Sequence, residues 1–263
     1  MQITGMTDLF FIVGAPVSHF RSTTLFTDYH TGKGHDFSAA ALHVRSGELA
    51  GALDTVRRCD NIKGLCITIP HKIDAVPMMD QLTEAAQRVG SVNFVRREAD
   101  GTLTGHNIDG QGFMRGLASS GFVAEGADVV LVGVGGVGRA IAFSLANAGI
   151  RRLTLLNRDH AKAVALAREL AQIVDVSVAD SATQPDLSKT TLLVNATSLG
   201  MTGNEFMPLS IAGLNPVCFV ADVVIKPDVT VLLATAQSLG CKTMGGAAML
   251  MPQIELCEEF LYG

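Results

Sequence analysis

The stretch VVLVGVGGVGRAIAFSLANAG, residues 129–149, places an apolar run in front of four glycines within six positions, and then a segment with helical spacing. A strand that runs directly into GxGGxG and opens a helix is the context in which a glycine-rich loop cradles a dinucleotide pyrophosphate. The glycines divide the work: they permit a tight turn, let backbone approach the anion, and let helix pack closely on strand, while the helix N-terminus attracts negative charge. Gly133, Val134, Gly135, Gly136 and Val137 are therefore candidate cofactor contacts. A merely tight strand-to-helix turn would use the same residues.

Working outward, apolar runs that read as strands recur at 9–13, 37–44, 62–69, 129–133, 152–157, 191–196 and 217–224. Segments with helical spacing separate them, most clearly at 136–149, 159–174 and 246–262, and that alternation predicts an α/β protein built on a parallel sheet. Glu98-Ala99-Asp100-Gly101 reads as a hairpin turn. A polar, glycine-rich tract at 107–112 precedes a new alternating unit, which puts a domain boundary near residue 110.

The strand at 152–157 ends in Asn157-Arg158-Asp159. An NAD-preferring fold commonly places Asp or Glu there, against the ribose 2′-hydroxyl, whereas a guanidinium suits a 2′-phosphate. Arg158, with Asn157 beside it and Lys162 four residues on, makes NADP the expected cofactor over NAD. Asp159 opposes that preference unless it serves as a helix N-cap.

Composition narrows the rest. A chain of 263 residues, 48% hydrophobic, has material for one large or two ordinary domains. A net charge of −5 without long like-charge runs offers no basic stripe for nucleic acid. No apolar run is long enough to span a bilayer, and the N-terminus lacks a basic region followed by a long apolar segment, so a cytoplasmic protein with no membrane partner is expected. Five scattered cysteines, none in a CxxC pair, suggest neither a disulfide framework nor a metal site.

The stretch GLCITIPHK, residues 64–72, starts as a buried strand and ends in a cation. Pro70 ends the strand, so His71 and Lys72 are expected to emerge at its carboxyl edge, where open α/β sheets bind ligands. On its own Lys72 reads first as an exposed residue at a helix start; desolvated in a cleft, it becomes a usable base for a hydroxyl proton.

Taken together, GLCITIPHK, Val89-Gly90-Ser91-Val92-Asn93, the tract 100–110, Gly14-Ala15-Pro16-Val17, GVGGVGRA, Asn157-Arg158, Asn195-Ala196-Thr197-Ser198-Leu199-Gly200-Met201 and Gly246–Gln253 resemble the shikimate/quinate dehydrogenase family over almost the whole chain. The resemblance implies an N-terminal α/β substrate domain (1–110, completed by 246–263), a Rossmann NADP-binding domain (111–245), and a C-terminal helix returning to the first domain. It implies that Lys72 is the general acid/base on the reacting hydroxyl, with Asp109 as its orienting partner. Asp109 is equally placed to cap the helix it precedes. Ser22, Thr68, Asn93 and Gln253 match positions that bind a polyhydroxylated ring acid, and Asn195, Thr197, Val223 and Gly246 match loops flanking the nicotinamide. The partner so implied is a small cyclic hydroxy acid, handled by a monomer or homodimer.

Three positions depart from the pattern. Phe20 stands where a serine usually grips the substrate carboxylate, Ile108 where Thr is common, and Ile225 where a tyrosine faces the substrate. Each change removes a polar group, which points to altered substrate recognition around intact machinery. A dehydrogenase of a less polar related alcohol and a noncatalytic NADP-binding sensor are the alternatives; retention of both Lys72 and Asp109 weighs against the sensor.

Overall fold

The structure, a computed structural model, describes residues 3–17, 22–180 and 185–263. The chain forms two compact units, residues 1–108 with 254–263, and residues 109–253.

In the first unit the order is β1 (Asp8–Gly14), α1 (Ser22–Gly32), β2 (Phe37–His43), α2 (Leu49–Arg58), β3 (Ile62–Ile67), β4 (Gln81–Leu82), α3 (Glu84–Val89), β5 (Phe94–Arg97) and β6 (Leu103–His106). They form one sheet in the order β2-β1-β3-β5-β6-β4. The sheet is mixed rather than wholly parallel: β1 pairs parallel with β2 and β3, but β5 runs antiparallel to both β3 and β6. The cause is the expected hairpin. Gly101 adopts φ +85°, a left-handed conformation that glycine accepts without strain, and Asp100 Oδ1 accepts the Thr102 N–H at 2.9 Å.

Both faces of this sheet are covered. On one, Phe10 of β1 packs at centroid distances of 5.3 Å from Phe26 of α1, 5.6 Å from Phe37 of β2 and 6.1 Å from Phe94 of β5. All four rings are buried, and each contributes about 1.5–3 kcal/mol relative to exposure. A second cluster gathers Leu49, Leu53 and Val56 of α2 with Val13, Leu65, Ile67, Val95 and Leu103. The 49/53/56 spacing is one helical face, which is why α2 lies flat on the sheet.

The second unit holds α4 (Asp109–Ser119), β7 (Asp128–Val132), α5 (Gly136–Asn147), β8 (Arg152–Leu156), α6 (His160–Leu170), β9 (Asp175–Val178), β10 (Leu192–Asn195), β11 (Phe219–Asp222), α7 (Val231–Ser238), β12 (Thr243–Met244) and the first part of α8 (Ala247–Tyr262). Its strands, all parallel, run β12-β11-β10-β7-β8-β9. That is the doubly wound order of a dinucleotide-binding fold, with the switch point between β7 and β10. Burial of every residue of β7, β10 and β11 explains their continuous apolar runs.

Helix α4 is threaded through this unit by glycines. A Cβ at Gly110 would strike Ser144 and Ala140 of α5, and one at Gly116 would lie 2.7 Å from the Ala248 carbonyl oxygen of α8. The last part of α8, from Ile254, belongs to the first unit, as expected for a returning C-terminal helix. There Tyr262 donates to Asp8 at 3.0 Å and the Phe260 carbonyl accepts from Arg96 at 2.8 Å.

His106, at the end of β6, lies against Phe260 and bonds Thr83 Oγ1 through Nδ1 at 2.7 Å. Burial, and then the Arg96 charge, push its imidazole down from 6.5 to about 4. The folded chain thus refuses a proton that the unfolded chain takes up as pH falls below 6.5, so stability is full near neutrality and declines toward acid. Urea unfolding should show a loss of about 2–3 kcal/mol from this group between neutrality and about pH 4.5. The loss should be absent in His106→Gln; equal acid sensitivity of variant and parent would contradict this assignment.

Candidate active site

The glycine-rich loop leaves β7 at the switch point. Gly133 has φ +95°, and a Cβ there would lie 2.7 Å from Thr197 Cγ2 and 3.0 Å from the Ala196 carbonyl. A Cβ at Gly138 would strike the Gly133 carbonyl oxygen. The fold itself therefore demands these two glycines. Gly135 is different: its φ is −68°, it is exposed, and a Cβ on it would meet nothing within 4 Å. No packing within the chain requires it, whereas close approach of a pyrophosphate to the start of α5 does. The site fits a dinucleotide on that ground. Gly136 opens α5; Val134 is buried and Val137 half-buried beside the loop.

Asn157 joins this loop to the end of β8. Its Oδ1 accepts the Val134 N–H at 3.1 Å and its Nδ2 donates to the Asp159 carbonyl at 2.8 Å. Asp159 is the N-cap of α6, accepting the Lys162 N–H at 3.3 Å. Arg158 is exposed and makes no ion pair with the described residues, so its guanidinium is available to a 2′-phosphate.

Across the switch point Asn195 has no hydrogen-bonding capacity left. Its Oδ1 accepts from Thr197 N at 3.1 Å and Thr197 Oγ1 at 2.7 Å; its Nδ2 donates to the Leu199 carbonyl at 2.9 Å and to Asp222 Oδ1 at 3.0 Å. The part its side chain plays is thus to hold the loop that carries Thr197. Asp222, fully buried, also accepts from Val224 N at 3.0 Å and from Thr230 Oγ1 at 2.7 Å. Burial pushes its carboxyl up, and the bonds from Val224, Thr230 and Asn195 hold it partway back. Val223 donates its N–H to the Asn195 carbonyl at 3.0 Å, and a Cβ on Gly246 would strike the Val223 carbonyl. Asp222 and Thr230 thereby tie together the three loops carrying Thr197, Val223 and Gly246. Sequence reading passed over both; the only signal was an Asp at the end of an apolar strand, which burial turns into a hub.

In the first unit Thr68 follows β3, with its N–H on the Val13 carbonyl at 2.9 Å. His71, expected to emerge with Lys72, is instead fully buried and donates from Nε2 to the Val44 carbonyl at 2.8 Å. The imidazole anchors the turn and leaves Lys72 alone partly exposed. The Lys72 carbonyl accepts the Val92 N–H at 2.8 Å. Next to Val92, buried Asn93 uses Oδ1 to accept the Ile108 N–H at 3.0 Å. Asn107 donates to Ser91 Oγ at 2.8 Å. Lys72, Asn93 and the residue preceding Asp109 thus stand on one network. Among the described residues, neither the Thr68 hydroxyl nor the Asn93 amide N–H groups have a protein partner. Ser22 opens α1, where the helix N-terminus adds positive potential; Phe20 and the neighbouring Arg21 lie outside the described residues.

In the second unit Asp109 begins α4, nearly buried, and Gln253 Nε2 donates to its Oδ1 at 3.1 Å. Gln253 has room only because residue 112 is glycine: a Cβ there would lie 2.6 Å from Gln253 Cγ. Gln253 sits inside α8 rather than at a cap. Ile225 is 46% exposed, but Ile108 is fully buried. The change at Ile108 therefore belongs to the core, and the expectation that it alters a pocket is corrected.

The family description for the shikimate dehydrogenase substrate binding domain matches residues 12–95, and that for shikimate/quinate 5-dehydrogenase matches residues 116–199. The NADP(+)-dependent shikimate dehydrogenase of Rhodospirillum rubrum is 39% identical over 257 residues, 96% of this chain and 90% of that one. The chain belongs to the shikimate dehydrogenase family. Among solved structures of similar fold, the shikimate 5-dehydrogenase of Thermus thermophilus in complex with NADP(H) and shikimate has a TM-score of 0.87 at 31% identity, covering 97% of this chain and 93% of that one. The 5-ketofructose reductase of Gluconobacter sp. has a TM-score of 0.85 at 30% identity, covering 98% and 93%. This shikimate dehydrogenase-family chain has no helix, among its described residues, long and apolar enough to cross a membrane.

Replacing Asp222 by Ala strands the Asn195 amide, the Val224 N–H and the Thr230 hydroxyl. The variant should lose about 2 kcal/mol or more in urea unfolding, with Asp222→Asn, which keeps an acceptor, losing less. Equal stability of the Ala variant and the parent would remove Asp222 as the organiser of these loops.

Proposed function

We propose that the chain is an NADP-dependent shikimate dehydrogenase, catalysing reversible oxidation of a cyclic hydroxy acid. What carries the reading is that a member of this family keeps Lys72, Asn93 and Ile108 on one bonded network, with donors on Thr68 and Asn93 that have no partner among the described residues. The substrate part comprises 1–110 with 246–263 and the dinucleotide part 111–245. The bound coenzyme supplies a hydride acceptor, or donor in the reverse direction.

The chain's own residues do the rest. Lys72 takes the hydroxyl proton as the carbinol becomes a ketone and returns it on reduction. Asp109, oriented by Gln253, balances that charge. Thr68, Asn93 and Gln253 bind ring hydroxyls, and Ser22 at the head of α1 faces the carboxylate. Arg158 and Lys162 bind the 2′-phosphate, and the Gly133–Val137 loop binds the pyrophosphate.

Lys72→Ala should lower kcat by about 10²–10⁴-fold while leaving the NADP dissociation constant unchanged in a fluorescence titration. Turnover equal to the parent's would take Lys72 out of the mechanism.

Three observations favour a variant of this reading. Ile225 is exposed where a polar partner is usual, Phe20 replaces a serine, and the similar Gluconobacter protein is a reductase of a ketosugar, a compound without a carboxylate. If carboxylate recognition is what Phe20 weakens, Phe20→Ser should lower the shikimate KM by about tenfold. An unchanged KM, together with a higher kcat/KM of the parent for a ketosugar, would move the substrate class to that compound.

A further inference from the structure

Cys66 and Cys257 stand far apart in the sequence, yet the fold of the first unit brings them to one place. The end of α8 lies along β3: a Cβ on Gly64 would lie 3.1 Å from Leu261 Cδ2. Tyr262 fixes the sense of that packing, because it bonds Asp8 at the start of β1 at 3.0 Å and lies under the Lys63 ammonium near the start of β3, 4.7 Å from its ring centroid. Moving up the strand therefore means moving back along the helix. The next side chain after Gly64 on that side of the strand is Cys66, about 7 Å on. One turn back from Leu261, about 6 Å along the helix and on the same face, is Cys257. The two steps match, so the two sulfurs face each other. Burial, and then the closeness of the Cys66 sulfur, push the Cys257 thiol well up.

We infer that Cys66 and Cys257 form a two-thiol oxidation site, in which a peroxide oxidises Cys66 and Cys257 then closes a disulfide that clasps α8 to β3. Exposure sets the order of events. Both residues carry thiols, but Cys66 is only half-buried whereas Cys257 has no exposed surface. The Cys66 thiolate attacks one peroxide oxygen and the O–O bond breaks. The hydroxide that leaves takes up the proton the thiol gave up, and Cys66 is left as a sulfenic acid. Cys257 sulfur then attacks Cys66 sulfur, the S–O bond breaks, and the departing hydroxyl leaves as water with the Cys257 proton. Two electrons pass from the thiols to the peroxide, which ends as two waters. Cys218 and Cys241 supply the contrast. The parallel register of β11 and β12 sets them opposite each other, but both are buried, and burial pushes both thiols up, Cys218 to about 12. That pair offers an oxidant no accessible nucleophile.

Atoms in van der Waals contact lie about 3.5–4 Å apart and bonded sulfurs about 2.05 Å, so closing the clasp displaces its surroundings by more than an ångström. Thr68, the second residue after Cys66 along the same extended run, moves with it. This consequence, unlike the bond itself, rests on the substrate reading above: shikimate KM should rise about tenfold in the oxidised chain and fall back on adding dithiothreitol. The test treats the full chain with hydrogen peroxide, alkylates the remaining thiols with iodoacetamide, digests without reductant and weighs the peptides. A linked Cys66–Cys257 peptide, two hydrogens lighter than its parts and lost on reduction, is expected, with Cys218 and Cys241 still alkylated. In Cys257→Ala, Cys66 should remain a sulfenic acid that dimedone captures; in Cys66→Ser, Cys257 should remain a thiol. Absence of the linked peptide from the parent would overturn the inference, as would a link from Cys66 to any other cysteine or oxidation of Cys257 in Cys66→Ser. An unchanged KM in a chain shown to hold the bond would overturn its effect on the site. A reduced parent that turns over no shikimate would instead overturn the substrate reading, and the peptide masses would still decide the clasp.

Discussion

The Ile108 N–H bonded to Asn93 Oδ1 is the contact that ties the end of the first sheet's last hairpin to the turn ahead of β5. It is buried, so breaking it would leave an unpaired amide at a cost of about 1–3 kcal/mol. It holds Ile108, at the end of the stretch 1–108, against the turn that leads into β5. On its other side Asn93 shares a peptide with Val92, whose N–H is held by the Lys72 carbonyl. Residues from distant parts of the first unit, Lys72, Val92, Asn93 and Ile108, are thus held together by bonds within the chain that need no ligand to form.

The dinucleotide half rests on a division among glycines. Gly133 and Gly138 are required by backbone geometry and by packing against the loop after β10, while Gly135 faces open space. A loop needing only a tight turn would have no reason to keep the middle one bare. Opposite it, the Asn195–Asp222–Thr230 cluster spends its polar capacity inside the protein, so the loops it joins are held by saturated bonds rather than by their own stiffness. In such clusters a side chain matters for what it aims, and Asn195 is an example: its amide spends all its hydrogen bonds on the chain itself.

Much of this was readable in the residues. The strand-to-helix glycine pattern, the Asn157-Arg158 pair, the hairpin at 98–101 and the final helix all carry local signals, because turns and helix starts are decided by few neighbouring residues. What was not readable depends on burial and on partners far along the chain. Apolar alternation predicts a parallel sheet, but a hairpin inserted between crossovers makes the first sheet mixed. Two-residue strands such as β4 and β12 are too short for any period to register. Ile108 and His71 look like site residues by position, yet both side chains are fully buried, and only packing decides that. Asp222 looked like the end of a strand and is a hub for the same reason.

The central claim is that Lys72 and Asp109 act as one device on a single hydroxyl, and the most direct measurement is a double-mutant cycle on kcat with Lys72→Ala, Asp109→Asn and the pair. Residues that act as a unit are strongly non-additive. The account predicts that the double variant is scarcely slower than the worse single one. Losses that multiply, as for independent residues, would contradict it.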